Sequence, residues 1–304
     1  MTTPIDSVAV IGVGNVGRSW AVVFARAGLR VRLWDADPAA IARAQPLIGE
    51  ALAEMPTAAL ARITAHASLA EALAGALWVQ ESVAERLEVK QALFAEMDAL
   101  ADPQAILASS TSAIPGSQFM AALPGAARCL VAHPVNPPHL IPLVELCGTP
   151  ATAADTLARA DALMAAVGQS PVQLAHEVEG FLLNRLQWAL MGEALHLVGE
   201  GLCSPADIDR VMTDGLARRW SFIGPFMVAH LNASAGVRGY YAGLAEAIGR
   251  VQASLRTDYP PSPALVDRLA EALEAQVPVD EIAARQAWRD KMLLARRAPK
   301  APTR

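Results

Sequence analysis

The stretch SVAVIGVGNVGRSWAVVFARAGLRVRLWD, residues 7 to 35, restricts the fold more than any other part of the chain. A short β-branched run ends on Gly12, and Gly12, Gly14 and Gly17 stand in G-x-G-x-x-G spacing, with Asn15 and Val16 between the last two as further candidate cofactor contacts. A helical segment follows and stops at Gly28, and a second β-branched run ends in Asp35. Glycine spacing alone says little, because glycine-rich turns are common. A strand before it, a helix after it and an acidic residue about 20 positions on make it a dinucleotide-binding signal. Gly12 permits the tight turn, Gly14 lets backbone approach a pyrophosphate, and Gly17 lets helix and strand pack closely. The helix N-terminus then faces the phosphates. Asp35 is placed to accept hydrogen bonds from both ribose hydroxyls and to repel a 2′-phosphate, with Asp37 adding to that repulsion, so NAD is expected over NADP. The competing reading is a structural βα turn followed by a surface aspartate.

Four more segments, ALWVQES (76 to 82), AILASS (105 to 110), RCLVAH (128 to 133) and IPLVEL (141 to 146), join the two runs already named and alternate with alanine-rich helical stretches. Strands separated by helices predict an α/β architecture with a parallel sheet. Beyond QSPVQLAHEVEG (169 to 180) the strand patterns stop and helical patterns take over. The expected organisation is a Rossmann-type, doubly wound, mostly parallel sheet over residues 1–180 and a smaller all-α domain over 181–304. With 304 residues, 53% of them apolar, the chain has material for both cores. A net charge of −5 gives no support for a nucleic-acid or membrane partner, which leaves small molecules. Cys129, Cys147 and Cys203 form no CxxC pair and no metal-ligand cluster, so no metal is expected and the cysteines read as buried thiols of a reducing compartment. The N-terminus carries no basic, apolar and small-residue succession, and a cytoplasmic protein is expected.

Polar residues stand where strands end or helices start: Ser112 after AILASS, His133 at the end of RCLVAH, Glu145 in IPLVEL, and Asn184 at the start of a long helical pattern. Ligands of doubly wound sheets sit beyond the carboxyl ends of the strands, which puts Ser112 and His133 toward a nicotinamide. Hydride removal from a secondary alcohol needs a base for the hydroxyl proton, and a histidine oriented by a carboxylate suits that work near neutral pH. Ser112 and Asn184 are then donors for the alcohol or ketone oxygen. The prolines of VAHPVNPPHLIPLVEL (131 to 146) make a stiff elbow between two strands, fixing the path from His133 to Glu145, with Asn136 as a pocket wall. Taken alone, a histidine at a strand end is more often structural than catalytic.

Together these segments resemble the L-3-hydroxyacyl-CoA dehydrogenase superfamily, and within it the lambda-crystallin or L-gulonate 3-dehydrogenase branch. The resemblance is carried by GRSWAVVFARAGLRVRLWD, CLVAHPVNPPHLIPLVEL, GFLLNRLQWALMGEALHLVGEGLCSPADIDRVMTDGL, FIGPF and ARQAWRD, and spans nearly the whole chain. It implies that His133 is the base, Glu145 its partner, and Ser112 and Asn184 the contacts of the substrate oxygen. The segment VAERLEVK matches the family's stretch beside the nicotinamide ribose, implying Glu85 and Lys90 as further cofactor contacts. A homodimer formed through the C-terminal helices is also implied.

The superfamily's CoA-using members carry a lysine-rich helical insertion after the second strand, whereas residues 36–80 here contain no lysine. A free hydroxy acid is therefore the expected substrate, and Arg219 in DGLARRWSFIGPF is a candidate for its carboxylate, since arginine binds carboxylates bidentately. The leading instance is L-gulonate. L-Carnitine, a short 3-hydroxyacyl-CoA and an imine are the enzymatic alternatives. A structural or NAD-sensing protein is the alternative without catalysis.

Overall fold

The computed structural model describes residues 5–53 and 59–296. Its elements run β1 (Ser7–Ile11), α1 (Asn15–Arg26), β2 (Arg30–Trp34), α2 (Pro38–Ala51), β3 (Ile63–Ala65), α3 (Leu69–Leu73), β4 (Trp78–Glu81), α4 (Leu87–Leu100), β5 (Ile106–Ser109), β6 (Cys129–Pro134), β7 (Leu143–Gly148), α5 (Ala154–Ala166) and β8 (Ser170–Leu174). There follow α6 (Phe181–Gly199), α7 (Pro205–Arg210), α8 (Ala217–Trp220), α9 (Pro225–Leu231), α10 (Gly236–Ser254), α11 (Pro263–Glu274) and α12 (Ile282–Ala295). Two compact units result: the chain up to Asn184 together with Asp290 onward, and Arg185–Arg289.

The first unit is built on one eight-stranded sheet in the order β3-β2-β1-β4-β5-β6-β7-β8. All neighbours are parallel except β6 and β7. The chain moves outward from β1 to β3, then returns to lay β4 on the other side of β1. This reversal makes the carboxyl ends of β1 and β4 the place where a doubly wound sheet opens a crevice. Strands β1, β4, β5 and β6 are buried along their whole length, as expected where helices cover both faces. One apolar core gathers around Trp20, Phe24 and Trp78, the other around Phe94, Leu107 and Phe181.

Local chemistry fixes the helix starts. Asp37 caps α2 by accepting the Ala39 N–H, with Pro38 in the first turn. In the second unit Gly192 and Gly199 let α6 meet the segment after α10 closely, because a Cβ at either would strike the Thr257 backbone or the Tyr259 ring. Among the described residues no helix is long and apolar enough to cross a membrane.

Two strands escape the sequence patterns. β3 is three residues long, too short to show an alternation. β8 is an edge strand carrying Pro171, a residue that argues against a strand unless it lies at an edge. The elbow contains a cis Asn136–Pro137 bond and returns the chain antiparallel, so that His133 and Glu145 stand directly opposite each other on β6 and β7. Cys129 and Cys147 are buried, and burial pushes their thiols up to about 12 and about 11; Cys203, expected to be buried, is partly exposed.

Candidate active site

Beyond the ends of β1 and β4 lies a cleft of about 700 Å³ bordered by Gly12, Gly14, Trp34, Asp35, Ser82 and one flank of α4. Each glycine of the turn answers a separate demand. Gly12 has φ of +88°, and a Cβ there would lie 2.8 Å from the Ser82 backbone. A Cβ on Gly17 would fall onto the Gly12 carbonyl oxygen. Gly14 meets nothing within 4 Å, so the space beside it is open to a ligand. Gly14 is also the N-cap of α1 and no side chain caps it, which leaves the first N–H groups of the helix for a phosphate. Asp35 is held by two amide donors, Val13 to Oδ2 at 2.8 Å and Asp37 to Oδ1 at 2.9 Å. A carboxylate has about four acceptor sites, so both oxygens keep capacity for ribose hydroxyls. These features fit NAD. Asp37, beside Asp35, caps α2 and pairs with Arg43 at 2.8 Å, and that arginine holds its carboxyl below the usual range.

The His133 Nδ1 lies 2.8 Å from Glu145 Oε2, with the histidine 5% and the glutamate 2% exposed. A carboxylate can only accept, so the imidazole carries its proton on Nδ1 and leaves the Nε2 lone pair as the base. The other oxygen of Glu145 accepts the N–H groups of Leu182 at 2.8 Å and Leu183 at 3.0 Å, at the start of α6. One carboxylate thus fixes both the histidine and the helix that carries Asn184. Phe181 completes this corner: fully buried, it holds a left-handed backbone with φ of +51° and sets its ring 5.3 Å from the imidazole. A non-glycine residue in that conformation persists only where its surroundings fix it. Asn184 donates to the Ser112 carbonyl at 2.6 Å, which brings two of the expected substrate contacts together.

Ser112 is exposed, and its turn is organised from below. Glu85 Oε1 accepts the Thr111 hydroxyl at 2.7 Å and the N–H groups of Ser112 and Ala113 at 2.8 and 3.0 Å. Burial alone would raise the Glu85 carboxyl; the Thr111 hydroxyl, the Lys90 ammonium and those amides outweigh it and lower it. Lys90 sits deeper. It is 1% exposed, with its ammonium 2.9 and 3.0 Å from the Glu81 oxygens and 3.3 Å from Glu85. In this network Lys90 braces Glu85, and Glu85 braces the Ser112 turn. Glu81 and Ser109, joined at 2.5 Å, belong to the same network and were not anticipated. The available signal is the polar pair Gln80–Glu81 inside an otherwise apolar strand. Asn136 is exposed in the elbow, and Arg219 is exposed on α8 in the second unit.

A dinucleotide cleft at the switch point, with a histidine–carboxylate pair two strands along, makes this an NAD-dependent oxidoreductase. Comparison with known proteins narrows the class. Residues 7–178 match the 3-hydroxyacyl-CoA dehydrogenase NAD binding domain and residues 180–281 the C-terminal domain of the same proteins, so the chain belongs to the 3-hydroxyacyl-CoA dehydrogenase family. It is 45% identical to a lambda-crystallin homolog of Bos taurus, covering 94% of this chain and 93% of that one. It is 36% identical to an L-carnitine dehydrogenase of Pseudomonas aeruginosa, over 96% and 93%. Among solved structures, an NAD+-dependent 5-formyl-3-hydroxy-2-methylpyridine 4-carboxylic acid 5-dehydrogenase matches with a TM-score of 0.82 at 29% identity, over 96% and 97%.

Proposed function

We propose that the protein oxidises the 3-hydroxyl of a small, free 3-hydroxy acid, with L-gulonate to 3-dehydro-L-gulonate as the leading instance. The observation that carries the chemistry is the buried His133–Glu145 pair, which leaves Nε2 as the free nitrogen. NAD supplies the hydride acceptor. His133 takes the hydroxyl proton, and Glu145 faces the imidazolium that forms. The Ser112 hydroxyl, turned from the Glu85 carboxylate it meets at 3.3 Å, and the second N–H of the Asn184 amide hold the substrate oxygen as charge develops on it. Asn136 walls the pocket, and Arg219 pairs with the substrate carboxylate.

Two features favour a free acid over an acyl-CoA. Residues 36–80 contain no lysine, and among the relatives stand L-carnitine dehydrogenases, which are named for a free 3-hydroxy acid. The same relatives favour L-carnitine as the second reading, with Trp220, Phe222 and Tyr240 as candidates for a quaternary ammonium. NADH absorbance on a panel of L-gulonate, L-carnitine, 3-hydroxybutyrate and 3-hydroxybutyryl-CoA separates them. L-Gulonate should give the highest kcat/KM, and Arg219→Met should raise its KM about tenfold or more. Preferred turnover of the CoA ester would refute the free-acid reading.

We also propose a homodimer formed by the helices of the second unit. Leu186, Trp188, Phe222 and Phe226 are 73, 60, 75 and 77% exposed there, large apolar side chains that an association surface would cover. The solution mass should be about twice 32.0 kDa; a concentration-independent mass of one chain would rule the dimer out.

A further inference from the structure

We propose that Ser82 is a directed hydrogen-bond donor to the bound cofactor, its hydroxyl proton aimed into the cleft by a buried chain that ends on two tryptophans. The hydrogen-bond relay begins at Trp78, whose indole N–H donates to Gln80 Oε1 at 3.1 Å. An indole can only donate, so this contact fixes the Gln80 amide with its oxygen toward Trp78 and its nitrogen on the other side. That nitrogen donates to Ser110 Oγ at 2.8 Å and to the Ala132 carbonyl at 3.4 Å. A second indole, that of Trp20, also donates to Ser110 Oγ, at 3.2 Å. Trp20, Trp78 and Gln80 are all fully buried, so water does not compete for these contacts.

The Ser110 oxygen has two lone pairs, and both are taken by donors whose direction is not reversible. Ser82 Oγ lies 2.8 Å away. With no acceptor capacity left, Ser110 gives its own proton to Ser82. Ser82 then accepts, and its proton must point elsewhere. Ser82 borders the cleft beside Gly12 and Gly14, is partly exposed, and its backbone is seated against the glycine turn through the bond from its N–H to the Ile11 carbonyl at 2.7 Å. Its hydroxyl therefore meets the stretch of the dinucleotide that passes the turn, where oxygens of the pyrophosphate and adjoining ribose are the acceptors. A donor that cannot rotate back to a protein partner loses less on binding than a free hydroxyl. Trp20, Gln80 and Ser110 act through Ser82 and are positioning residues.

Titration with NADH, followed by the fluorescence of the bound nicotinamide, tests this without turnover. Wild-type protein that fails to bind NADH would count against the cofactor itself. Given that binding, Ser82→Ala should raise the NADH Kd about tenfold, as for loss of a hydrogen bond to a charged or strongly polar oxygen. Trp20→Phe leaves Ser110 a free lone pair, lets Ser82 turn inward, and should raise Kd about threefold. In the Ser82→Ala background Trp20→Phe should have no further effect, because no directed proton is left to lose. Melting temperatures of the three variants account for any loss of folded protein. A Kd for Ser82→Ala within twofold of wild type overturns the contact. Equal effects of Trp20→Phe in both backgrounds overturn the directed proton.

Discussion

His133→Ala is expected to lower kcat by about 10³-fold, within the roughly 10² to 10⁴ that a positioned acid–base group contributes, while the NADH Kd stays within twofold. The split follows from the geometry. The imidazole is 5% exposed, its Nδ1 is committed to Glu145, and it is not among the residues bordering the dinucleotide cleft. Removing it takes away the acceptor for the substrate's hydroxyl proton and leaves the glycine turn and Asp35 intact. A structural histidine would behave differently. Its loss would lower the melting temperature and reduce activity only in proportion to unfolded protein, with kcat per folded molecule preserved. Turnover within tenfold of wild type, measured on protein shown to be folded and saturated with NAD, would remove His133 from the chemistry. His133→Gln gives a second reading, since a glutamine fills much of the same space without offering a titratable nitrogen.

The dinucleotide half of the site was legible because each of its demands is local. A tight turn, an open approach for the ligand and close packing of helix on strand each fix one residue within six positions, and Gly12, Gly14 and Gly17 meet them. Asp35 follows from the length of one helix and one strand. The histidine–glutamate pair was legible for another reason: the elbow is short and stiff, so the two strands it joins must be neighbours, and the structure pairs His133 with Glu145 in register. The rest depends on contacts between distant segments. Nothing in the sequence around Lys90 says that Glu81, nine residues earlier on a buried strand, takes its ammonium; only the β4–α4 packing brings them together. Likewise Ser110 is one of several serines in SSTS until Trp20, ninety residues away, is seen to point at it. The charge of Asp37 is legible in the same way, but its pairing with Arg43, six residues on, is not.

Lys90→Met is expected to destabilise the first unit by about 3–5 kcal/mol, the cost of leaving a buried carboxylate without its counter-ion. Methionine keeps most of the side-chain volume, so a packing defect contributes little. The expense lies in Glu81, which is fully buried and receives the Lys90 ammonium on both oxygens, besides the Ser109 hydroxyl and the Val83 N–H. Two neutral donors do not replace a cation at that depth. In thermal unfolding the loss should read as a fall on the order of 10 °C. Adding Glu81→Gln removes the stranded charge and should restore most of that fall, a coupling of about 2 kcal/mol or more between the two sites. The same pair of variants decides how Lys90 serves the cofactor. As a brace it acts only through Glu85, which keeps its amide donors from the 111–113 turn when the ammonium is lost, so the NADH Kd of the double variant should stay within about threefold of wild type. A loss of affinity that persists when stability has been restored would mean that the ammonium itself reaches the dinucleotide.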